Sequence, residues 1–453
     1  MQYISTRGNI SPLNFQDAVL TGQAADGGLL LPERIPNVGD KLDSWKHLSF
    51  VELAVEIVRL FATDIVDEDL ESIISGAFAS FDHPDTVPMV EQGSLRIMEL
   101  FHGPTLAFKD VALQVLGGLF RHVLGERNAK LNILGATSGD TGSAAIASVR
   151  GRENINIFIM FPDGKTSRLQ ELQMTTVLDS NVHCLAIEGD FDDCQRIMKS
   201  IFNDLEFKNQ YALGAVNSVN WARVMVQIVY YAYAALQTNE PVSISVPTGN
   251  FGNICAGYIA RRMGFPIHHL ILATNENDIL ARFFSTGVYR RGSVHQTLSP
   301  SMDIQVASNF ERYIYYLFEE DPQKLKIFMK TFADNAMAEI KDYGKLNDCF
   351  VATRVDTSET LSTISNIHSK YGYVIDPHTA VGVAAALRAK IDTPIVCLAT
   401  AHPSKFPESV KKAIGQSPIN HPRLEQLNNL EERKVTLPAH EMTIRRYMES
   451  NSI

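Results

Sequence analysis

From about Leu95 onward, short apolar runs alternate with stretches of helical periodicity, and this alternation limits the possible folds more than any other feature. "KLNILGAT" reads as a buried strand, and "SGDTGSAAIASVRG" as a loop opening into a helix that stops at Gly151. "INIFIMFP" is a strand, "SRLQELQMTTV" a helix and "VHCLAIEG" a strand again. "DDCQRIMKSIFND" follows as a helix with acidic residues in its first turn, where the helix dipole favours them. "PVSISVPTG", "HHLILATN" and "TPIVCLATA" are further strands, and "NICAGYIARRMG" is a helix with Gly264 as the expected C-cap. Apolar strands separated by helices build mainly parallel sheets flanked by helices, an α/β fold.

The chain before this point is different. Up to about residue 90 it is mainly helical, by the apolar spacing in "FVELAVEIVRLFATDIV". A turn-rich patch, "FDHPDTVPMVEQGS", closes that region. Later, residues 311–342 read as a helical insert broken near Pro322. "VMVQIVYYAYAAL" is too short for a membrane span and contains Gln227, so it is expected to be a buried core helix. The 453 residues leave room for two or three domains and a sizeable core.

Charge and cysteine content exclude several classes of partner. With 41 basic and 51 acidic residues the net charge is −10, which argues against nucleic acid or an anionic membrane. A small anion remains possible, because helix N-termini and a local cluster of cations can bind one in an acidic protein. The five cysteines form no Cys-x-x-Cys pair and no disulfide framework, as expected of reduced thiols in a cytoplasm. The segment "MQYISTRGNISPL" lacks an apolar core of signal-peptide length. No metal site is expected, since there is no His-Glu-x-x-His and no Cys/His cluster.

In open parallel sheets, ligands sit where the carboxyl end of a strand leads into a helix. "VPTGNFGNICAGY" brackets Asn250 and Phe251 with Gly249 and Gly252, so that backbone N–H groups can turn towards a phosphate. It is not a P-loop, and Gly164-Lys165-Thr166 lacks the upstream glycine because Ile159 stands there. A tight strand–helix turn would look the same. "GATSGDTGSAA" offers Thr137, Ser138, Gly139 and Thr141 at another helix start, which suits a carboxylate or equally a plain helix cap. Asp140 there would repel an anion. "CLATAHPSKFP" ends a strand at Thr400, whose hydroxyl could serve a ligand nitrogen or simply cap the strand. "GAVNSVNWARVMVQ" places Asn217, Ser218, Asn220 and Arg223 before the core helix, as an anion site or as an N-cap with a surface arginine. In "FHGPTLAFKDVALQ", Lys109 stands among apolar residues, as a surface lysine or as a nucleophile in a dry pocket.

Taken together, and in this order, "STRGN", "ADGGLLLPERIP", "HGPTLAFKD", "TSGDTGSAA", the Gly-Asn-Phe-Gly-Asn loop and "LATAHPSKFP" resemble the threonine synthase family. These are pyridoxal 5'-phosphate (PLP) enzymes of the tryptophan-synthase-β fold, fold type II. The resemblance runs from about residue 3 to about residue 410. It implies a mainly helical N-terminal region over 1–92, a large PLP-binding domain over 93–130 and 215–453, and a small mobile α/β domain over 131–214. It implies that Lys109 forms the Schiff base and acts as the base. Gly249, Asn250, Phe251, Gly252 and Asn253 would hold the cofactor phosphate, and Thr400 the ring nitrogen. Thr137, Ser138, Gly139 and Thr141 would take the substrate carboxylate. Asn217, Ser218 and Arg223, with Thr141, would take the substrate phosphate. Asp140 departs from the asparagine usual in the fold, and it can accept a hydrogen bond from the cofactor 3'-oxygen but not donate one unless protonated.

The reaction implied is O-phospho-L-homoserine and water going to L-threonine and phosphate, in a monomer or homodimer. Two alternatives stand beside it. One is a related phospholyase that eliminates phosphate from O-phospho-amino acids and yields a 2-oxo acid. The other is a non-catalytic α/β protein binding a nucleotide or regulatory ligand, which would leave Lys109 without a task. His102 and His378 lie inside motif segments, as ligand contacts or as hydrogen-bonded core residues.

Overall fold

The computed structural model describes residues 1–137, 139–238, 240–341 and 349–453. Two sheets organise the chain. In the larger, the strands lie in the order Phe350–Arg354, Ile267–Thr274, Val242–Pro247, Ile395–Ala399, Leu95–Glu99 and Met89–Gln92. All neighbours pair in parallel except Met89–Gln92, which forms an antiparallel hairpin with Leu95–Glu99. The smaller sheet is parallel throughout, in the order Val435–Pro438, Val182–Glu188, Ile155–Pro162, Leu131–Ala136 and Leu213–Gly214. This is the expected α/β architecture.

The inner strands are apolar runs because helices cover both faces of each sheet. Ile155–Pro162 is buried along its whole length, and so is Val242–Pro247. The helix Trp221–Leu236 is buried at every residue except Tyr233. It packs on Lys109–Glu126, Gly252–Arg262 and Phe50–Arg59, so the N-terminal helices share one core with the large sheet. Phe50–Arg59 starts with a capping box, in which Ser49 and Glu52 satisfy each other's backbone N–H.

Four sequence expectations need correction. The patch at 81–94 is not only turn, because Met89–Gln92 finds a partner strand that its local composition does not reveal. The insert forms two helices, Phe310–Leu317 and Pro322–Asn335, but then ends. Ala336 turns left-handed, and Met337–Glu339 pairs with Val288–Arg290; residue 342 lies outside the described residues. The cap of Gly252–Arg262 is Met263, with Gly264 following at φ 98°. Finally, 215–453 does not stay with the large sheet. Val435–Pro438 extends the edge of the small sheet, and Glu441–Asn451 buries Ile444 and Met448 in the small core.

Candidate active site

Lys109 opens the helix Lys109–Glu126 directly after a loop fastened to the neighbouring strand end. Leu100 N–H donates to Ala399 O, and Phe108 N–H donates to Thr400 O at 2.9 Å. Thus Thr400 and Lys109, far apart in sequence, are tied by one backbone bond. Within the loop Leu106 is held left-handed at φ 60°. Asp110, wholly buried, accepts from the Thr105 N–H and hydroxyl, both at 2.8 Å, which braces the turn ahead of Lys109. Burial lifts the Asp110 carboxyl to about 6 despite these bonds.

The lysine stands in a dry cluster of charges. Its Nζ is 3.5 Å from Asp140 Oδ2 and 5.0 Å from the centre of the Phe108 ring. The other Asp140 oxygen, Oδ1, accepts from Lys405 Nζ and from Gln170 Nε2, each at 2.9 Å. Lys405 also donates to Thr105 O at 2.7 Å, and Gln173 Nε2 donates to the same oxygen at 3.0 Å. Burial pulls Lys109 below the usual lysine range; Asp140 opposes this, while Lys405 and Arg223 assist it. Burial alone would favour a neutral Asp140, but Lys405, Lys109 and Gln170 outweigh it and hold the carboxylate ionised.

The glycine loop follows the strand Val242–Pro247 and opens the helix Gly252–Arg262. A Cβ on Gly249 would meet Ser301 O at 2.9 Å, so this position admits only glycine without a backbone shift. Phe251 is left-handed at φ 65°. Its side chain does not face a ligand; it is buried among Phe284, Phe310, Tyr313 and Phe350 and anchors the loop. Asn250 O accepts from Asn309 N–H at 3.0 Å. Asn253 Oδ1 accepts from Tyr230 and Tyr231 hydroxyls, at 2.5 and 2.8 Å, while its Nδ2 is buried without a partner.

The helix start at 217–223 shows the same incompleteness. Asn220 caps the helix, and Ser218 Oγ lies 2.8 Å from Ser308 Oγ. Arg223 is not a surface arginine. It is buried, donates from one terminal nitrogen to Val216 O, and keeps Nε without a partner. Burial pushes it down to about 10. Asn217 Oδ1 is also buried and unpartnered. These atoms have no partner among the described residues, and burying a polar atom unpaired is costly, a cost that a polar ligand would remove. At the second helix start, Thr137 serves the loop itself: its hydroxyl accepts from the N–H groups of Gly139 and Gly142. Thr141 is half-buried at the same helix start, and Ser138 lies outside the described residues.

His102 and His378 are both held by carboxylates. His102 contacts Glu99 at 2.7 Å and Asp82 at 3.0 Å, and His378 contacts Asp376 at 2.8 Å while accepting from Ser301 N–H. Asp376 also binds Thr379, whose hydroxyl accepts from Thr400 N–H at 3.3 Å. A cavity of about 580 Å³ lies beside the charge cluster, bounded by Ser167, Leu172, Thr297, Lys405, Phe406 and Leu424.

The family description "Threonine synthase N terminus" matches residues 2–78, "Pyridoxal-phosphate dependent enzyme" matches 93–400, and "Threonine synthase, C-terminal" matches 379–448. The chain belongs to the threonine synthase family. Threonine synthase of Pseudomonas aeruginosa is 47% identical over 97% of this chain and 96% of its own length. That of Saccharomyces cerevisiae is 43% identical, over 91% of this chain and 89% of its own. The PLP-bound threonine synthase of Brucella melitensis superposes with a TM-score of 0.97 at 44% identity, covering 100% of this chain and 99% of that one.

Contacts thus join the stretches carrying Lys109, Asp140, Thr400 and Lys405, but several residues around them were not singled out. Lys405 and Gln170 stand inside quoted stretches, yet neither carries a local mark of its contact with Asp140. Asn309, Ser308, Tyr230 and Tyr231 come from helices and turns distant in sequence. Only an odd feature such as two adjacent tyrosines within an apolar helix hints at buried hydrogen bonding.

Proposed function

We infer that this chain converts O-phospho-L-homoserine and water to L-threonine and phosphate, using pyridoxal 5'-phosphate. The observation that supports the reading is a lysine pulled below the usual lysine range beside Asp140 and Lys405, in a chain that also holds buried polar atoms without partners at Asn217, Arg223 and Asn253 among the described residues. The residues fit the cofactor on the same ground. Gly249 and Gly252 let the loop pack tightly against Ser301 and Asn309, and Asn253 Nδ2, without a partner among the described residues, is a donor the phosphate could take. Thr400, bonded through its backbone to the loop before Lys109, would serve the ring nitrogen, and Asp140, kept ionised, can only accept from the 3'-oxygen.

When bound, the cofactor supplies an electron sink for charge developing at the substrate α-carbon. Lys109, as a neutral amine, would take the α-proton, release it, and then take a β-proton. Phosphate would leave from the γ-carbon, which gains the proton removed from the β-carbon; water would add its OH at the β-carbon and give its other proton to the phosphate, and the α-carbon would regain its proton. Arg223, with Asn217, Ser218 and Thr141, holds the substrate phosphate through charge-assisted hydrogen bonds. Donors at 137–141 hold the carboxylate at a helix N-terminus. The small sheet and its helices form the mobile part that closes over the cleft.

A cytoplasmic setting belongs to this reading, and the five buried free thiols suit it. No helix among the described residues is long and apolar enough to cross a membrane. The working unit is proposed as a monomer or homodimer. Incubation with O-phospho-L-homoserine tests the function: threonine should dominate, and a dominant 2-oxobutyrate yield would establish the phospholyase instead. Borohydride should fix the cofactor on the peptide containing Lys109. Lys109→Ala should fold and lose turnover by roughly 10³-fold or more.

A further inference from the structure

Among the described residues, two other cations, Lys405 and Arg223, and the carboxylate of Asp140 act on Lys109. Asp140 reaches it from the helix Asp140–Val149, Lys405 from the turn Pro403–Lys405, and Arg223 from the helix Trp221–Leu236. Asp110, on the lysine's own helix, spends both oxygens on Thr105. With Asp110 engaged by Thr105, Asp140 is the carboxylate that both lysines contact among the described residues, and it can neutralise only one of them well. Lys405 has the better claim, with a 2.9 Å contact to Asp140 and a second bond to Thr105 O. Its side chain is wholly buried, so water offers it no alternative. Gln170 occupies the same oxygen, Oδ1, which orients the carboxylate towards Lys405. Lys109 is left with a 3.5 Å approach to Oδ2.

We propose that Lys405 is a positioning residue that competes with Lys109 for Asp140, holding the closer contact and thereby weakening the ion pair that would keep Lys109 protonated. Two effects act in the same direction. Lys405 draws the carboxylate off Lys109, and its own charge repels a second ammonium across a space with little screening. Without Lys405, Asp140 would turn to Lys109 and form a close buried pair, and the amine would hold its proton to higher pH. Lys405 thus sets the pH at which Lys109 becomes a nucleophile and a base. It touches neither reacting atom.

The inference rests on Lys109 being the cofactor lysine, and the test separates the two claims. Apoprotein is mixed with pyridoxal phosphate across a pH series, and the rate of covalent attachment is followed by visible absorbance. Only the neutral amine attaches, and titration of free pyridoxal phosphate is common to all variants. In Lys405→Met the midpoint of the pH–rate profile should rise by about one pH unit, the lower end of what a neighbouring charge does. Lys405→Arg should leave it unchanged within a few tenths of a unit, and Asp140→Asn should lower it. A purely structural role for Lys405 would reduce the amplitude and leave the midpoint in place. Lys405→Gln, which keeps a donor for Thr105 O, reads the same shift if the methionine variant does not fold. Borohydride labelling away from Lys109 would overturn the functional reading. Labelling on Lys109 with an unmoved or lowered midpoint in Lys405→Met or Lys405→Gln would overturn this inference alone.

Discussion

An alanine at position 249 would place its methyl carbon 2.9 Å from Ser301 O and 3.2 Å from Met302 Cα. Ordinary contact begins near 3.4 Å, so one wall must retreat by about 0.5 Å. Both walls are backbone. Ser301 N–H is bonded to His378 Nε2, which is itself fixed by Asp376, and Met302 is buried. On the other side the loop hangs from the Asn309 bond to Asn250 O and from the Phe251 ring. The loop is the softer wall, so it should move and misdirect its N–H groups. Overpacking of this kind costs about 1–3 kcal/mol, which as lost cofactor binding is roughly 5- to 150-fold in Kd. Titration of the apoprotein with pyridoxal phosphate, followed by fluorescence, measures it. Gly125→Ala is the control, because a Cβ there meets nothing within 4 Å. Unchanged cofactor affinity in Gly249→Ala, with an unchanged melting temperature, would refute the assignment of this loop as the phosphate cradle.

Arg223→Leu should lower kcat/KM by roughly 10²–10³-fold, mainly through KM, because it removes a buried charge from the proposed phosphate site. Cofactor uptake should persist in that variant, and steady-state kinetics beside an uptake titration would check both. Phe251→Ala should destabilise the chain by about 3–5 kcal/mol in urea unfolding, since it empties an aromatic cluster while leaving the loop backbone free. Asp110 gives a pH effect of definite sign. Its folded carboxyl keeps the proton up to about 6, whereas an unfolded aspartate loses it near 4. Between those values the folded chain binds more protons, so stability falls as pH rises through the window. Asp110→Asn should flatten this slope, and melting temperatures of both proteins from pH 4 to 7 would measure the difference.

Local patterns were enough to read most of the elements, because central parallel strands are apolar over their whole length and their helices carry caps. Ile155–Pro162 coincides with the run "INIFIMFP". Elements whose existence depends on a distant partner were not legible. Met89–Gln92 is a strand only beside Leu95–Glu99, and Val435–Pro438 only beside Val182–Glu188. The latter pairing joins residues far apart in the chain, and nothing in "VTLP" marks which sheet it will extend. The same limit governs the site. Lys109, Thr400 and the glycine loop could be singled out, but the residues alone left each open between a ligand contact and a plain structural part, and it was the resemblance carried by all the motifs in order that joined them.

The residues that tune those groups were not legible, and the reason is physical. The state of a buried charge is set by everything within a few ångströms, whatever its position in sequence. Lys109 and Asp140 depend on Lys405, Gln170 and Arg223, which arrive on different elements. A motif names the group that reacts, but not the counter-charges that fix its protonation. The backbone bond from Phe108 N–H to Thr400 O sharpens the point. It fastens the strand end carrying "HPSK" against the loop carrying Lys109, which keeps Lys405 beside Lys109. Asp140 does belong to the small sheet's side, at the end of Leu131–Ala136. The helix Asp140–Val149 also packs along Lys109–Glu126, so elements from three distant parts of the chain together fix where the carboxylate stands relative to both lysines.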